Sequence, residues 1–437
     1  MSYPLKQFVD AWMVSDLGLT EFTAQGDGGI VAWVYIATYF SALSVVSTYV
    51  SQHLGAGRPK RGAAYLWNGL WLAALGAIPA FIGAYFVKDL FVLFFDDPER
   101  IGFATLYCSV LLMGAFFPIA ARVVGFYFYG MHKPSVVFIT SLIGASTNIG
   151  LNYLLIFGHW GFPELGLKGA AIATVLASAI EFAVPMAIFC SPWWAKKLDV
   201  FAEWRPSKRV IREIVRIGWP GAVMVGNEMM CWALFMAVII GRMGEAHSAA
   251  SWIALRYMTL SFQPTLGLQM AVSAVVGKHI GARNREAAEH RAWLGMKLGM
   301  GYMATCALLM VLFRKPMVGL FITEQHESIA PEVLAIGGAV MICAAFFQLF
   351  DAMAIIMAGA LRGAGDTVWP GLVTAILSWT FIVGAGWAIA VARPDWGAVG
   401  PWIGAALFIT TLGIAMVWRF ARGPWREIDL VDEAEEL

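Results

Sequence analysis

The sequence predicts an all-α polytopic membrane protein with twelve transmembrane helices arranged in two six-helix lobes. Of its 437 residues, 59% are hydrophobic and only 14% are charged, a composition far from that of soluble domains. Apolar runs recur at the length needed to cross the hydrocarbon of a bilayer. Two stretches half a chain apart also match each other. Alternation at period two with turns every ten residues is absent, so the sequence excludes a transmembrane β-barrel.

Twelve spans can be placed in order along the chain. Their approximate edges are 4–20, 28–53, 63–90, 100–130, 134–157, 166–190, 214–241, 247–279, 287–313, 331–361, 367–391 and 398–420. Several exceed the roughly 20 residues that a bilayer requires, so we expect them to tilt or to extend beyond it. The predicted organisation is a first lobe over 1–191, a connector over 192–213, a second lobe over 214–421 and a tail over 422–437.

Lys and Arg are distributed unevenly between the two sets of loops. Nineteen lie on the side of the connector and seven on the opposite side, where acidic residues are common. Because short cytoplasmic loops are enriched in basic residues, the connector side and both termini are predicted to be cytoplasmic. We therefore expect a multi-pass protein of the plasma membrane, which in a bacterium is the inner membrane. The net charge of +1 gives no indication of a nucleic-acid partner.

The two lobes are predicted to be copies of one another with the same topology. Ser47–Ala56 reads STYVSQHLGA and Ser273–Ala282 reads SAVVGKHIGA, at an offset of 226. Both stretches end a span and enter a basic loop, which indicates a parallel repeat with a substrate site between the lobes. The same offset aligns Gly244 with Gly18, and on that alignment the first helix is expected to be shortened at its cytoplasmic end.

Four polar residues in the apolar spans of the first lobe are predicted to form one site: Asp10, Asn148, Asn152 and Thr174. The two asparagines lie four residues apart and so share a helix face. At 1.5 Å per residue, all four lie roughly 8–14 Å below the outer surface. A carboxylate, two amide oxygens and a hydroxyl suit a small hard cation such as Na⁺, for which Asp10, Asn148 and Asn152 would be ligands. A protonated Asp10 bonded to the asparagines would serve H⁺ coupling equally.

Two acidic residues interrupt the spans of the second lobe, Glu228 and Asp351. A charged side chain near the centre of a membrane helix costs about 2.5–3.5 kcal/mol, so such residues usually face the bundle interior and mark ion or proton paths. Both lie roughly 20–25 Å from the outer surface, which places them at a similar height. We expect them to form a second site.

Four further residues are candidates for pocket lining. Tyr127 and Tyr129 would line a pocket in the first lobe, and Arg256 and Gln348 one in the second lobe. For Arg256, a structural salt bridge is the favoured interpretation.

Six motifs in order along the chain carry a family resemblance. They are FVDAWMVSDLG, VSQHLGAGRPK, the Asn148/Asn152 helix followed by GLKGAAIAT, GWPGAVMVGNE, VVGKHIGARN and FDAMAIIMAGALRGAGDT. Together they resemble the multidrug and toxic compound extrusion (MATE) family, in its NorM-like branch, over essentially the whole chain. Some branches carry Asp at the position of Asn152, so the match is to the NorM-like pattern.

The resemblance implies a secondary antiporter that exports amphiphilic, often cationic compounds in exchange for Na⁺ or H⁺. It assigns the site around Asp10 to a cation or proton, and Glu228 and Asp351 to a cation or a cationic drug. We expect a monomer with no cofactor besides the coupling ion. P-loop, HExxH and nucleophile signatures are absent from the sequence, so we expect a gradient-driven transporter and not an enzyme.

Two alternatives stay open at this point. A lipid-linked oligosaccharide flippase of related fold would have a cationic groove, whereas the intramembrane charges here are mainly acidic. A sensor or channel without transport activity would show no dye efflux from vesicles, or would conduct without saturation.

Overall fold

The computed structural model describes residues 9–10, 12–14, 16–95, 97–321, 330–428 and 430–431. Every regular element in these ranges is a helix. The described residues pack as two compact units. One comprises the chain up to Ala222 together with Val431, and the other comprises Val223–Leu430.

The first unit contains most of the first half of the chain. A helical stretch within residues 9–14 precedes the longer helices. These are α1 (Leu19–Leu43), α2 (Val45–Gly55), α3 (Gly62–Val92), α4 (Pro98–Met113), α5 (Phe116–Gly130), α6 (Pro134–Phe157), α7 (Gly166–Phe189), α8 (Pro192–Leu198) and the first part of α9 (Lys208–Leu234). Proline at the first position of α4, α6 and α8 suits a helix start, where no backbone N–H is needed.

The second unit contains the rest of α9 and seven further helices. These are α10 (Glu245–Gly281), α11 (Arg285–Leu312), α12 (Arg314–Gly319), α13 (Ala330–Ala364), α14 (Val368–Leu377), α15 (Gly386–Ala392) and α16 (Val399–Arg422). Two π-helical segments, Phe235–Ile240 and Ser378–Ala385, extend α9 and join α14 to α15. The long helices α10, α13 and α16 pack together around a core rich in alanine, methionine and aromatic residues.

The helices confirm the predicted membrane class. Nine continuous helical segments within the described ranges are long and apolar enough to cross a bilayer, and α4 with α5, which meet at 47°, would form a tenth. The helix α10 matches the predicted eighth span. Of the predicted first span, residues 9–10, 12–14 and 16–20 lie within the described ranges. The all-helical fold with twelve predicted spans therefore agrees with the structure.

The repeat is visible in the backbone as well as in the sequence. The turn after α2 has Gly57 at φ 76°, and the turn after α10 has Arg283 at φ 56°, again 226 residues apart. The same closing bond follows each helix: Arg58 N donates to His53 O at 2.8 Å, and Asn284 N donates to His279 O at 2.8 Å. Such left-handed turns end helices by capping free carbonyls.

A second pair of turns repeats at an offset of 233. His132 has φ 57° after α5, and Gly365 has φ 94° after α13. Two residues before each, a glycine lets its helix approach a backbone carbonyl at an equivalent position of the helix against which it packs. A Cβ on Gly130 would lie 2.8 Å from Ser47 O, and one on Gly363 would lie 2.3 Å from Ser273 O. The parallel repeat therefore extends to helix packing.

The connector and the start of α9 pack on the first unit. The indoles of Trp67 and Trp71 in α3 donate to Val200 O at 2.7 Å and to Trp204 O at 3.0 Å. The buried Glu213 of α9 accepts a bond of 2.7 Å from Tyr65 Oη. The predicted connector ended at residue 213, where the polar sequence ends, whereas packing extends the first unit through Ala222.

Candidate functional site

Two of the polar residues predicted for the first lobe lie against the carboxylate of a third, Asp10. Asp10 is 8% exposed, and Asn148 and Asn152 of α6 are fully buried. Asn152 Nδ2 donates to Asp10 Oδ1. When the Asn148 amide is oriented with its nitrogen toward the carboxylate, which satisfies its hydrogen-bonding groups, Nδ2 lies 2.6 Å from Asp10 Oδ1. The carboxylate then accepts bonds from two amides.

Thr174 of α7 completes the group. The other terminal atom of the Asn148 amide lies 3.5 Å from Thr174 Oγ1. Asn152 Oδ1 is buried and has no hydrogen-bond partner among the described residues. A buried acceptor without a partner costs free energy, so it favours a cation or a proton donor beside it. We name Asp10, Asn148, Asn152 and Thr174 the Asp10 cluster.

Close packing of α6 against α7 holds this cluster. A Cβ on Gly169 would lie 2.3 Å from Leu155 O, so only glycine permits this approach of the two helices. The helix α6 ends at Gly158, whose φ of 70° starts the turn toward α7. Leu165 N then donates to Leu155 O at 2.9 Å. These contacts fix the height of Asn148 and Asn152 relative to Thr174.

The two acids of the second lobe also come within electrostatic reach of each other. Glu228 lies on α9 and Asp351 on α13, and their charges interact. Each side chain keeps partial exposure, unlike the buried asparagines of the Asp10 cluster. The Trp232 side chain, one turn further along α9, lies close to Glu228. This pair, which we name the Glu228–Asp351 pair, combines two carboxylates with an aromatic ring.

A polar network beside this pair was not predicted from the sequence. Asn227 Nδ2 donates to Ser378 Oγ at 2.7 Å, and Trp379 Nε1 donates to Asn227 Oδ1 at 2.7 Å. Ser378 is fully buried at the start of the second π segment. The available signal was Asn227 itself, a polar residue directly before Glu228 in an apolar run. No comparable signal marked Trp379.

Both π segments lie near this network and pack around α16. A Cβ on Gly404 would lie 2.8 Å from Phe381 O, so α16 approaches the second segment closely. Trp402 packs its ring edge on Phe235 of the first segment with centroids 5.6 Å apart. Its indole donates to Ser251 Oγ at 3.0 Å. Because π segments within α-helices are frequent at functional sites, their position favours this region as a site.

The four candidate lining residues have different surroundings. Tyr127 is buried in an aromatic cluster, where its hydroxyl accepts a bond of 3.3 Å from Trp194 Nε1. Tyr129 is partly buried. Gln348 is buried; its Nε2 donates to Ser261 Oγ at 2.8 Å, while its Oε1 has no partner within the described part of the chain. Arg256 is exposed and makes no ion pair with described residues, in place of the expected salt bridge.

A family model described as MatE matches residues 1–154 and 222–391. The chain is 28% identical over 418 residues to a probable multidrug resistance protein NorM of Rhizobium meliloti, covering 94% of this chain and 88% of that one. It is 29% identical over 437 residues to the multidrug resistance protein PmpM of Pseudomonas aeruginosa, covering 96% and 88%.

Solved structures give the same fold. An outward-facing multidrug resistance MATE family transporter of the MOP superfamily superposes with a TM-score of 0.88 at 21% identity, covering 98% of this chain and 93% of that one. A MOP superfamily transporter from Pyrococcus furiosus superposes with a TM-score of 0.87 at 22% identity, covering 98% and 93%.

Proposed function

Since the chain belongs to the MatE family, we propose that it is a multidrug efflux antiporter. It exports amphiphilic and cationic compounds and takes up Na⁺ or H⁺ in exchange. The observation that carries this proposal is the buried Asp10 cluster, in which one carboxylate accepts from amides while Asn152 Oδ1 has no hydrogen-bond partner in the described part of the chain. The relatives named for multidrug resistance support the class of substrate.

The coupling ion binds at the Asp10 cluster. For Na⁺, the Asp10 carboxylate, the oxygens of Asn148 and Asn152 and the Thr174 hydroxyl offer oxygen ligands of the type that hard cations prefer. For H⁺, a protonated Asp10 becomes a donor, and a rotation of the Asn152 amide turns its unpaired oxygen toward that proton. In both cases the incoming positive charge relieves a buried negative charge and an unsatisfied acceptor.

The cationic substrate binds at the Glu228–Asp351 pair. Two neighbouring carboxylates repel each other, so a cation between them is favoured by electrostatics. Trp232 adds an aromatic face of the kind that attracts organic cations. The partial exposure of both acids suits a ligand that is larger than a metal ion.

The connector side faces the cytoplasm in this proposal, and the protein acts as a monomer in a bacterial inner membrane. The excess of Lys and Arg in its loops supports this orientation. The flippase alternative would need a cationic groove, whereas Glu228 and Asp351 supply negative charge. Neither the fold nor the relatives give support to a channel or a sensor.

The test is efflux of ethidium from vesicles that contain the purified protein, under an imposed Na⁺ gradient or pH gradient. One coupled charge at 100 mV is worth about 2.3 kcal/mol, roughly a 50-fold accumulation ratio. We expect saturable efflux under one of the two gradients. In Asp10→Asn we expect the gradient-driven accumulation of ethidium to be lost. The matched control is Asp395→Asn. Asp395 is an exposed acid in the loop before α16, and its ion pair with Arg393 holds its pKa below the ordinary value.

Absence of efflux under both gradients in the wild-type protein would overturn the antiporter. Undiminished coupling in Asp10→Asn would overturn the ion site and leave the transport function in place. Equal losses in Asp395→Asn and Asp10→Asn would also overturn the ion site, because any acid would then have the same effect.

A further inference from the structure

A basic pocket lies on the connector side of the first unit. It encloses about 550 Å³ between the turn that joins α2 to α3 and the short helix α8. Its lining is Gly57, Arg58, Pro59, Lys60, Arg61 and Lys197. Four of these six residues are cationic, and none of the described lining residues is acidic.

Among the described residues, one acidic side chain forms an ion pair with a cation of the pocket. Arg61 Nη1 lies 3.3 Å from Glu203 Oε1, and both side chains are about half exposed. Such an exposed pair contributes little and is easily rearranged. Lys60 and Lys197 are exposed, and neither forms an ion pair with a described residue. An anion in the pocket would therefore meet at least two lysines that form no ion pair within the described ranges.

The helix α3 shows how this pocket is placed along the membrane normal. Large apolar side chains lie exposed at helical spacing along one face: Trp71, Leu75, Ile78, Ile82 and Tyr85. Such a face contacts lipid chains in a spanning helix. Trp67 and Trp71 donate to connector carbonyls at the start of this face, as expected for aromatic residues at the interface. Arg61 precedes Trp67 by six residues, roughly 9 Å along the axis.

Aromatic residues also flank the pocket on its other wall. Trp193 of α8 is 65% exposed, and Lys197 Nζ lies 5.2 Å from the centre of its ring. An exposed tryptophan beside a basic residue is typical of a short helix at the level of lipid headgroups. The basic side chains of the pocket therefore lie beside an exposed aromatic ring.

We propose that this pocket binds the phosphate of an anionic phospholipid headgroup, with phosphatidylglycerol as the simplest ligand. Lys60 and Lys197 hold the phosphate from opposite walls, while the acyl chains run past Trp193 onto the exposed face of α3. The bound lipid joins the α2–α3 turn to the connector. This site is separate from both transport sites and does not depend on the proposed transport activity.

The repeat supplies a matched control region in the second unit. At the offset of 226, Lys60 corresponds to Glu286 and Arg61 to Ala287. The equivalent turn keeps the backbone geometry and basic residues such as Arg285, but it has a different charge pattern. General attraction of basic loops to an anionic surface would act on both turns. The residues that line the pocket come from the α2–α3 turn and from α8.

The experiment titrates the purified full-length protein in detergent with phosphatidylglycerol or phosphatidylcholine and counts retained lipids by native mass spectrometry. We expect phosphatidylglycerol to be retained preferentially. Each basic residue near an anionic lipid contributes roughly fivefold, so Lys60→Ala/Lys197→Ala should weaken apparent phosphatidylglycerol affinity by about 25-fold. Arg285→Ala/Arg291→Ala removes the same number of charges from the second unit and should change it by less than about twofold. Melting temperatures verify that both variants are folded.

Three outcomes would overturn the proposal. Equal retention of the two lipids would show no selectivity for an anionic headgroup. Equal losses in both double variants would show general attraction to basic loops. Displacement of the bound lipid by millimolar inorganic phosphate, together with phosphate binding in the absence of lipid, would show that the pocket serves a soluble anion.

Discussion

The Asp10 cluster and the Glu228–Asp351 pair belong to two copies of one repeat, yet their chemistry differs. Among the described residues, the first has the Asp10 carboxylate, two fully buried amides and an acceptor oxygen without a hydrogen-bond partner. The second has two interacting carboxylates with partial exposure, an aromatic neighbour and two π segments close by. Equivalent halves of the chain therefore carry different sets of polar side chains.

With the ligands that we propose, this difference explains how one helical framework can bind both an ion and an organic cation. An enclosed site with a single negative charge can compensate the lost hydration of a small ion, because its oxygens are already placed. A bulky organic cation is weakly hydrated and needs room, a negative field and an apolar surface. The open acid pair meets these needs. On the function that we propose, ion and substrate have separate sites, so a substitution in one should leave binding at the other unchanged.

The largest expected effect tests this separation directly. Asp351→Asn removes one of the two charges that attract the substrate, so we expect ethidium affinity to fall about tenfold, or about 1.4 kcal/mol. Binding of the coupling ion should be unchanged. Asp10→Asn should have the opposite pattern, with lost ion dependence and near-normal ethidium affinity. Fluorescence titration of ethidium, with and without the ion gradient, measures both quantities.

Equal losses of ethidium affinity and of ion dependence in both variants would show that the two sites act as one. Asp395→Asn, which removes an exposed acid outside either site, gives the baseline for a change in charge.

An effect on stability is expected from the packing that holds the Asp10 cluster. Gly169→Ala places a methyl group against Leu155 O, and overpacking of this kind costs about 1–3 kcal/mol. We expect a lower melting temperature and weaker ion dependence, because α7 and Thr174 move away from α6. Gly150→Ala on α6 is the matched control, since a Cβ there meets nothing within 4 Å. Thermal unfolding and efflux would be measured on both.

Retained ion dependence in a destabilised Gly169→Ala protein would show that the position of Thr174 does not matter to the site. A comparable loss in Gly150→Ala would show that any added methyl group on these helices has the same effect.

The smallest effect concerns the network beside the acid pair. Ser378→Ala removes the acceptor of Asn227 Nδ2, and a hydrogen bond of this kind contributes about 0.5–1.5 kcal/mol. We expect ethidium affinity to fall severalfold with no change in ion dependence. Thr380→Ala in the same π segment is the control, because Thr380 is exposed and its hydroxyl donates to Ile376 O of its own helix. A loss in ion dependence would place the network in the coupling path instead.

The sequence was sufficient to predict the fold class and the membership of the Asp10 cluster. The spans and the repeat follow from hydropathy and from the positions of basic loops, which are signals averaged over the length of a helix. Asn148 and Asn152 share a face at helical spacing, and counting residues from the helix ends placed Asp10 and Thr174 at a similar depth. The structure brings these four side chains together.

The network of Asn227, Ser378 and Trp379 could not be predicted in the same way. A π segment widens the helix turn and rotates the residues beyond it, so regular helical spacing misplaces their side chains. The packing of the connector could not be predicted from the sequence either. Trp67 and Trp71 donate to backbone carbonyls, which every residue has whatever its side chain. Tyr127 shows the converse, since its polar group is engaged by Trp194 inside the core.

The matched left-handed turns bear on how such a chain arises. Gly57 and Arg283 share one backbone geometry with different side chains, as do His132 and Gly365. If the two halves were separate identical subunits, every mutation would appear in both copies at once. An enclosed site on one side and an open pair of acids on the other could not then develop. Division of chemistry between the halves therefore requires two copies that can mutate separately, and this chain carries both copies in one sequence.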